Sequence, residues 1–112
     1  MVKKEIHILE ELKYINENIP LEEVNDSLLR ERKISLFIKR EDLNHPHMSG
    51  NKWHKLKYNL QKAINERSDT LLTFGGAYSN HIYAVAAAGK IFNLNTIGII
   101  RGEEHLPLNP TL

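Results

Sequence analysis

Apolar and polar positions recur along this chain with two different periods, and the changes of period mark its elements. Between residues 6 and 17, Ile8, Leu12 and Ile15 fall at helical spacing with Glu10, Glu11 and Lys13 between them, which predicts a short amphipathic helix. Pro20 ends it, and residues 18–32 read as an extended lead-in with a turn of helix. Lys33 to Arg40 (KISLFIKR) is β-branched and apolar and predicts a strand. Glu41 to Gly50 (EDLNHPHMSG) carries Asn, Pro, Ser and Gly and reads as a loop. From Asn51 to Arg67 the apolar positions are Trp53, Leu56, Leu60, Ala63 and Ile64, one face of a helix, with Lys55, Asn59, Lys62 and Glu66 on the other. Thr70 to Phe74 is a short apolar strand, and Gly75 and Gly76 begin a tight loop. A second helix runs from Ser79 to Asn93, rich in alanine for close packing, and Thr96 to Ile100 is another buried strand.

The order α-β-α-β-α-β with helix-length crossovers predicts an α/β fold with a parallel sheet. Residues 1–32 form the lead-in segment and residues 33–112 a strand-helix-strand-helix-strand core. Arg101 to Leu112 (RGEEHLPLNPTL) holds two prolines and no further element. A parallel sheet needs cover on both faces, so three strands and two crossover helices predict the N-terminal piece of a longer polypeptide.

Composition narrows the classes. Hydrophobic residues make up 41% and charged residues 26%, which excludes a disordered or collagen-like chain. The chain has no cysteine, so disulfides and thiolate chemistry are excluded. Apolar runs such as Ile97 to Ile100 are too short to cross a bilayer, and Val2-Lys3-Lys4-Glu5 opens no secretory leader. The default compartment is therefore the cytoplasm, with no membrane partner. The net charge of +1 hides an uneven distribution. Residues 33–67 hold eight basic and three acidic side chains, while the segments on either side are net acidic. The middle of the chain is thus the candidate anion site, with a solvated helix face as the plainer alternative.

Two loops carry candidate chemistry. In Ser49-Gly50-Asn51-Lys52, Gly50 permits an unusual backbone turn, and Ser49 or Asn51 can cap the helix that follows. Lys52 then lies in the first turn, where the helix dipole opposes a cation, lowers the amine pKa and favours the nucleophilic form a Schiff base needs. A surface lysine beside a cap is the alternative. In Gly75-Gly76-Ala77-Tyr78-Ser79-Asn80-His81 the chain leaves the C-terminal end of a strand and enters a helix, the place where open α/β sheets bind ligands. Ser79 and Asn80 offer a hydroxyl and an amide beside that helix terminus, although either could simply be its cap. Other patterns fail. No P-loop or GxGxxG is present, and His45, His47, His54 and His81 lack the carboxylate or thiolate that would complete a metal set. Lys52, Lys55, Lys57 and Lys62 have no interleaved aromatics beyond Trp53 and Tyr58, and the overall charge is near neutral, so no nucleic-acid partner is expected.

Taken together, residues 39–60 (KRED…HPHMSGNKWHKLKYNL) and 71–89 (LLTFGGAYSNHIYAVAAAG) resemble the pyridoxal-phosphate-dependent 1-aminocyclopropane-1-carboxylate deaminase and D-cysteine desulfhydrase family. The resemblance runs from about Leu36 to Arg101. It implies the tryptophan-synthase-β-like fold (fold type II) and a pyridoxal 5'-phosphate cofactor. It also implies deaminase or lyase chemistry on a small amino acid, and a homodimer at full length. At matching positions, Lys52 is similar to the lysine that holds the cofactor as a Schiff base and then shuttles protons. Asn51 and Lys55 fall where the family approaches the cofactor phosphate. Asn80 matches the asparagine that hydrogen-bonds the phenolic oxygen, and Ser79 the nucleophile or ligand of the substrate carboxylate. His81 departs from the glutamine of some members. The family's Gly/Thr-rich phosphate loop and the tyrosines implicated in ring opening lie further along, and Tyr58, Tyr78 and Tyr83 do not occupy those positions. The alternative reading is a non-catalytic fragment or pseudoenzyme that keeps part of the pocket.

Overall fold

The structure, a computed structural model, describes residues 18–112. The helix expected between residues 6 and 17 lies outside them. In chain order the described elements begin with a strand β1 (Leu21–Glu23), a short helix α1 (Ser27–Glu31) and a strand β2 (Phe37–Lys39). A single 3-10 turn (Glu41–Leu43) leads to helix α2 (Asn51–Asn65). Strand β3 (Thr70–Gly76), helix α3 (Asn80–Phe92) and strand β4 (Asn95–Arg101) complete the set.

The strand-helix-strand unit of β3, α3 and β4 has the predicted parallel pairing, from Thr70 opposite Asn95 to Gly76 opposite Arg101. Its first strand runs through both glycines rather than ending at Phe74. The strand expected over Lys33–Arg40 is a correction. Only Phe37–Lys39 is extended, and it does not join the parallel sheet. It pairs antiparallel with β1, Leu21 opposite Lys39 and Glu23 opposite Phe37. An antiparallel partner close in sequence needs no crossover helix. The Arg40 guanidinium fastens the pair: it donates to both Glu22 carboxylate oxygens (2.8 and 3.0 Å) and to Asp42 (2.7 Å).

The core sits between the two long helices. Of the predicted face of α2, Trp53, Leu56, Leu60 and Ala63 are buried and Ile64 is half-buried. Trp53, Leu56 and Leu60 share one cluster with Met48 from the preceding loop and with Ala84, Val85, Ala88 and Phe92 from α3. Each long helix ends in a defined stop. The Ser68 amide reaches back to the Ala63 carbonyl (2.8 Å) beyond Arg67 in the left-handed region. Asn93 takes the same conformation after α3, which lets the Leu94 amide reach the Gly89 carbonyl (2.8 Å).

Helix α3 covers one face of the sheet. Leu71 packs against the helical core, and Ile82 lies over Gly75 and Gly98. On the other face Leu72, Phe74, Ile97 and Ile99 are exposed among the described residues. Helix and sheet approach closely at Gly89, where a methyl group would overlap the Thr96 side chain and lie 2.9 Å from the Leu94 carbonyl oxygen. That oxygen is backbone and cannot swing away. Gly89→Ala gains up to about 1 kcal/mol of helix propensity against the overlap. Gly89→Val adds a second branch and forfeits most of that gain, so it should destabilise by about 2–3 kcal/mol. Urea midpoints of both variants in the full-length protein check the ordering: valine well below alanine.

Candidate functional site

The segment leading into α2 is built around Gly50, which stands at φ 63° and ψ −140°, a conformation open to glycine and few others. No side-chain oxygen caps α2. The Ser49 or Asn51 cap allowed by the sequence is therefore not used. The Gly50 peptide groups are held from the 3-10 turn instead. Its N–H donates to the Glu41 carbonyl (2.8 Å), and its carbonyl accepts from Asn44 Nδ2 (3.0 Å). The Glu41 carboxylate also accepts from Asn44 Nδ2 (3.2 Å), from His54 Nε2 (2.8 Å) and from Lys39 Nζ (2.9 Å). These partners, the His54 contact foremost, lower the Glu41 pKa to about 2.

Lys52 lies where the sequence predicts, in the first turn of α2. Its Nζ donates to Asn51 Oδ1 (2.8 Å). The first turn contains no acidic residue, so Lys52 and, one turn on, the exposed Lys55 stand against the helix dipole without local compensation.

On the second loop, Ser79 is the N-cap of α3, its Oγ accepting from the Ile82 amide (3.4 Å), and Asn80 is the first helical residue, exposed. Gly75 is required here, because a Cβ on it would lie 2.8 Å from Ser79 Oγ and 2.6 Å from Ile82 Cγ1. His81 turns toward the sheet, its Nε2 2.9 Å from Thr73 Oγ1. Burial is the first cause of its lowered proton affinity, and the charges of Lys52 and Lys55 lower it further. A cavity of about 310 Å³ opens beside the second loop, lined by Ala77, Tyr78, Ile100, His105, Leu108 and Asn109. It lies past the C-terminal ends of β3 and β4, and Asn109 Nδ2 ties down the Ala77 carbonyl there (2.9 Å).

Sequence reading missed five participants. Glu41 and Asn44 stood in quoted motifs without a role, and nothing periodic links residue 41 to residue 54. His47 was weighed only as a metal ligand, yet its Nδ1 lies 2.8 Å from the Tyr83 hydroxyl of α3. His45 Nδ1 accepts from the His47 and Met48 amides (3.0 Å each) and so shapes the loop before α2. Asn109 had no signal at all.

No family model matches the chain. Its fold matches a crystal structure described as an ACC deaminase homologue at a TM-score of 0.71 and 31% identity, covering 89% of this chain and 32% of that one. The architecture is therefore part of the tryptophan-synthase-β-like α/β fold, fold type II. The curated relatives agree. A Pyrococcus abyssi protein carrying the name "Putative 1-aminocyclopropane-1-carboxylate deaminase" is 39% identical over 80 residues, 71% of this chain and 24% of its own length. The Arabidopsis thaliana "Bifunctional D-cysteine desulfhydrase/1-aminocyclopropane-1-carboxylate deaminase, mitochondrial" is 42% identical over 66 residues, 59% of this chain and 16% of its own length. By sequence and by fold the chain is a homologue of the 1-aminocyclopropane-1-carboxylate deaminase and D-cysteine desulfhydrase proteins, and it spans about a quarter of the Pyrococcus relative. Among the described residues no helix is long and apolar enough to cross a membrane.

The influence of the Lys52 charge on His81 offers a direct test. Lys52→Ala removes a positive charge that disfavours the imidazolium, so the His81 pKa should rise. It should stay below the usual imidazole value, because burial is the larger cause and is unchanged. NMR titration of His81 checks this, with Lys62→Ala, not among the causes of the shift, leaving the value where it was.

Proposed function

We propose that the chain is the N-terminal portion of a pyridoxal 5'-phosphate enzyme that deaminates or eliminates from a small amino acid, with the cofactor bound covalently to Lys52. The observation that carries the reading is Lys52 itself, in the acid-free first turn of an uncapped helix that begins at Gly50. The donor set suits a phosphorylated aldehyde: an amine for the carbonyl, and uncapped helix N–H groups with the Lys55 cation for the phosphate. The names of the relatives point the same way.

When bound, the cofactor supplies an electron sink for the bond-breaking step. The remaining roles belong to this chain. Asn51 and Lys55 bind the phosphate. The Asn80 amide hydrogen-bonds the phenolic oxygen and tunes the ring. Lys52 Nζ, besides holding the cofactor, would be the group that moves a proton at the substrate carbon. Ser79 Oγ binds the substrate carboxylate beside the α3 terminus, or attacks the ring where the substrate is a cyclopropane. Its capping bond at 3.4 Å is long, so the hydroxyl has capacity for a second partner. The rest of the pocket comes from chain beyond the quarter that the relatives share. The proposed compartment is the cytoplasm, and the proposed assembly a homodimer.

Borohydride reduction of the full-length protein with its cofactor tests the assignment. Label should appear on Lys52 and vanish in Lys52→Ala, whereas Lys57→Ala keeps it. Label on Lys55, Lys57 or Lys90 overturns it. Ser79→Ala separates a cap from a substrate contact. A cap alone contributes ~1 kcal/mol and leaves turnover near normal. The proposed role predicts that bound cofactor is retained while turnover falls by orders of magnitude.

A further inference from the structure

The hydrogen bonds around Gly50 close on themselves. Gly50 accepts from Asn44 Nδ2, Asn44 Nδ2 donates to Glu41 Oε2, and the same oxygen accepts from His54 Nε2. Gly50 and His54 lie two residues before and two residues after Lys52. The backbone on both sides of the lysine is thus tied to one carboxylate and one amide of the 3-10 turn. Asn44 is buried, 5% exposed, and both Nδ2 protons are spent on these two acceptors. No side chain caps the helix terminus, and the Gly50 amide is held by the Glu41 carbonyl. Lys39, from β2, pairs with the other Glu41 oxygen and anchors the ring to the antiparallel pair.

We propose that Asn44 and Glu41 are positioning residues for Lys52: they fix the Gly50 peptide and the first turn of α2, and so set where the lysine amine stands. This rests on the reading of Lys52 as the cofactor lysine and extends it to residues that touch neither cofactor nor substrate. Removing Asn44 takes its side-chain bond off the Gly50 carbonyl and loosens a residue that can sample the many conformations open to glycine. A displacement of the first turn by a fraction of an ångström is enough to spoil a covalent linkage site. A merely stabilising role would not single out the lysine.

The test uses the full-length protein loaded with pyridoxal 5'-phosphate. Three quantities are read: the cofactor dissociation constant, the pH midpoint of the yellow absorbance, and the residue labelled by borohydride. Asn44→Ala should weaken cofactor binding by about tenfold or more and displace the pH midpoint, at wild-type secondary structure. Glu41→Gln keeps the size and one acceptor but loses the charge, and should displace the midpoint in the same direction by less. Leu94→Ala, in the core at the far end of α3, lowers stability and should leave all three quantities at wild-type values. Wild-type dissociation constant and midpoint in both Asn44→Ala and Glu41→Gln overturn the proposal, as does an equal displacement in Leu94→Ala. Should Asn44→Ala not fold, Glu41→Gln decides by its midpoint alone. Wild-type protein without label on Lys52 sinks the cofactor reading, and the positioning role falls with it.

Discussion

One peptide unit orders the N-terminal half of this structure. Gly50 sits where side-chain-bearing residues are excluded, and it persists there because both of its polar groups are bonded to the turn at residues 41–44. From that fixed point α2 leaves in a single direction. Trp53, Leu56 and Leu60 then meet Met48 and the α3 face, and the helical core follows. The antiparallel strands serve the same end. Arg40 binds Glu22 across the pair and Asp42 in the turn, so the 3-10 turn that grips Gly50 is itself gripped by β1 and β2.

Long, strongly periodic elements were legible because their burial is written in their own spacing. The face of α2 and the ends of α3 come out within a residue or two of expectation, and the parallel pairing of β3 with β4 follows from a helix-length crossover. The segment Lys33–Arg40 misled because its apolar residues suggest a central strand. In the structure Ile34, Leu36, Phe37 and Ile38 are all exposed, and apolar content alone says nothing about which strand a segment pairs with. Lys52, Ser79 and Asn80 were legible as helix-terminus residues and lie at those termini. Glu41 and Asn44 were not, because their partners stand six to thirteen positions away across an irregular turn. Such contacts leave no period in the sequence.

The cap on α3 illustrates how one residue can serve two ends. Ser79 is where a helix needs an oxygen acceptor, and it is also where the strand delivers its C-terminal edge. Gly75 makes room for that hydroxyl by having no side chain. Structure and proposed chemistry therefore demand the same small polar residue at this position.

The charges around α2 carry the last step. A lysine in the first turn of a helix loses on the order of 0.3–1 kcal/mol to the dipole, and here the turn has no acid of its own to offset it. Glu41 supplies an anion from outside the helix, but its oxygens are already spent on His54, Lys39 and Asn44. The charges of Lys52 and Lys55 also weigh, after burial, against a proton on His81 of the neighbouring helix. A local excess of positive charge at an uncapped helix terminus is unfavourable by itself and favourable to a bound anion. Under the proposed function, the phosphate of the cofactor is that anion, and the energy the fold forgoes in placing two lysines there returns as binding.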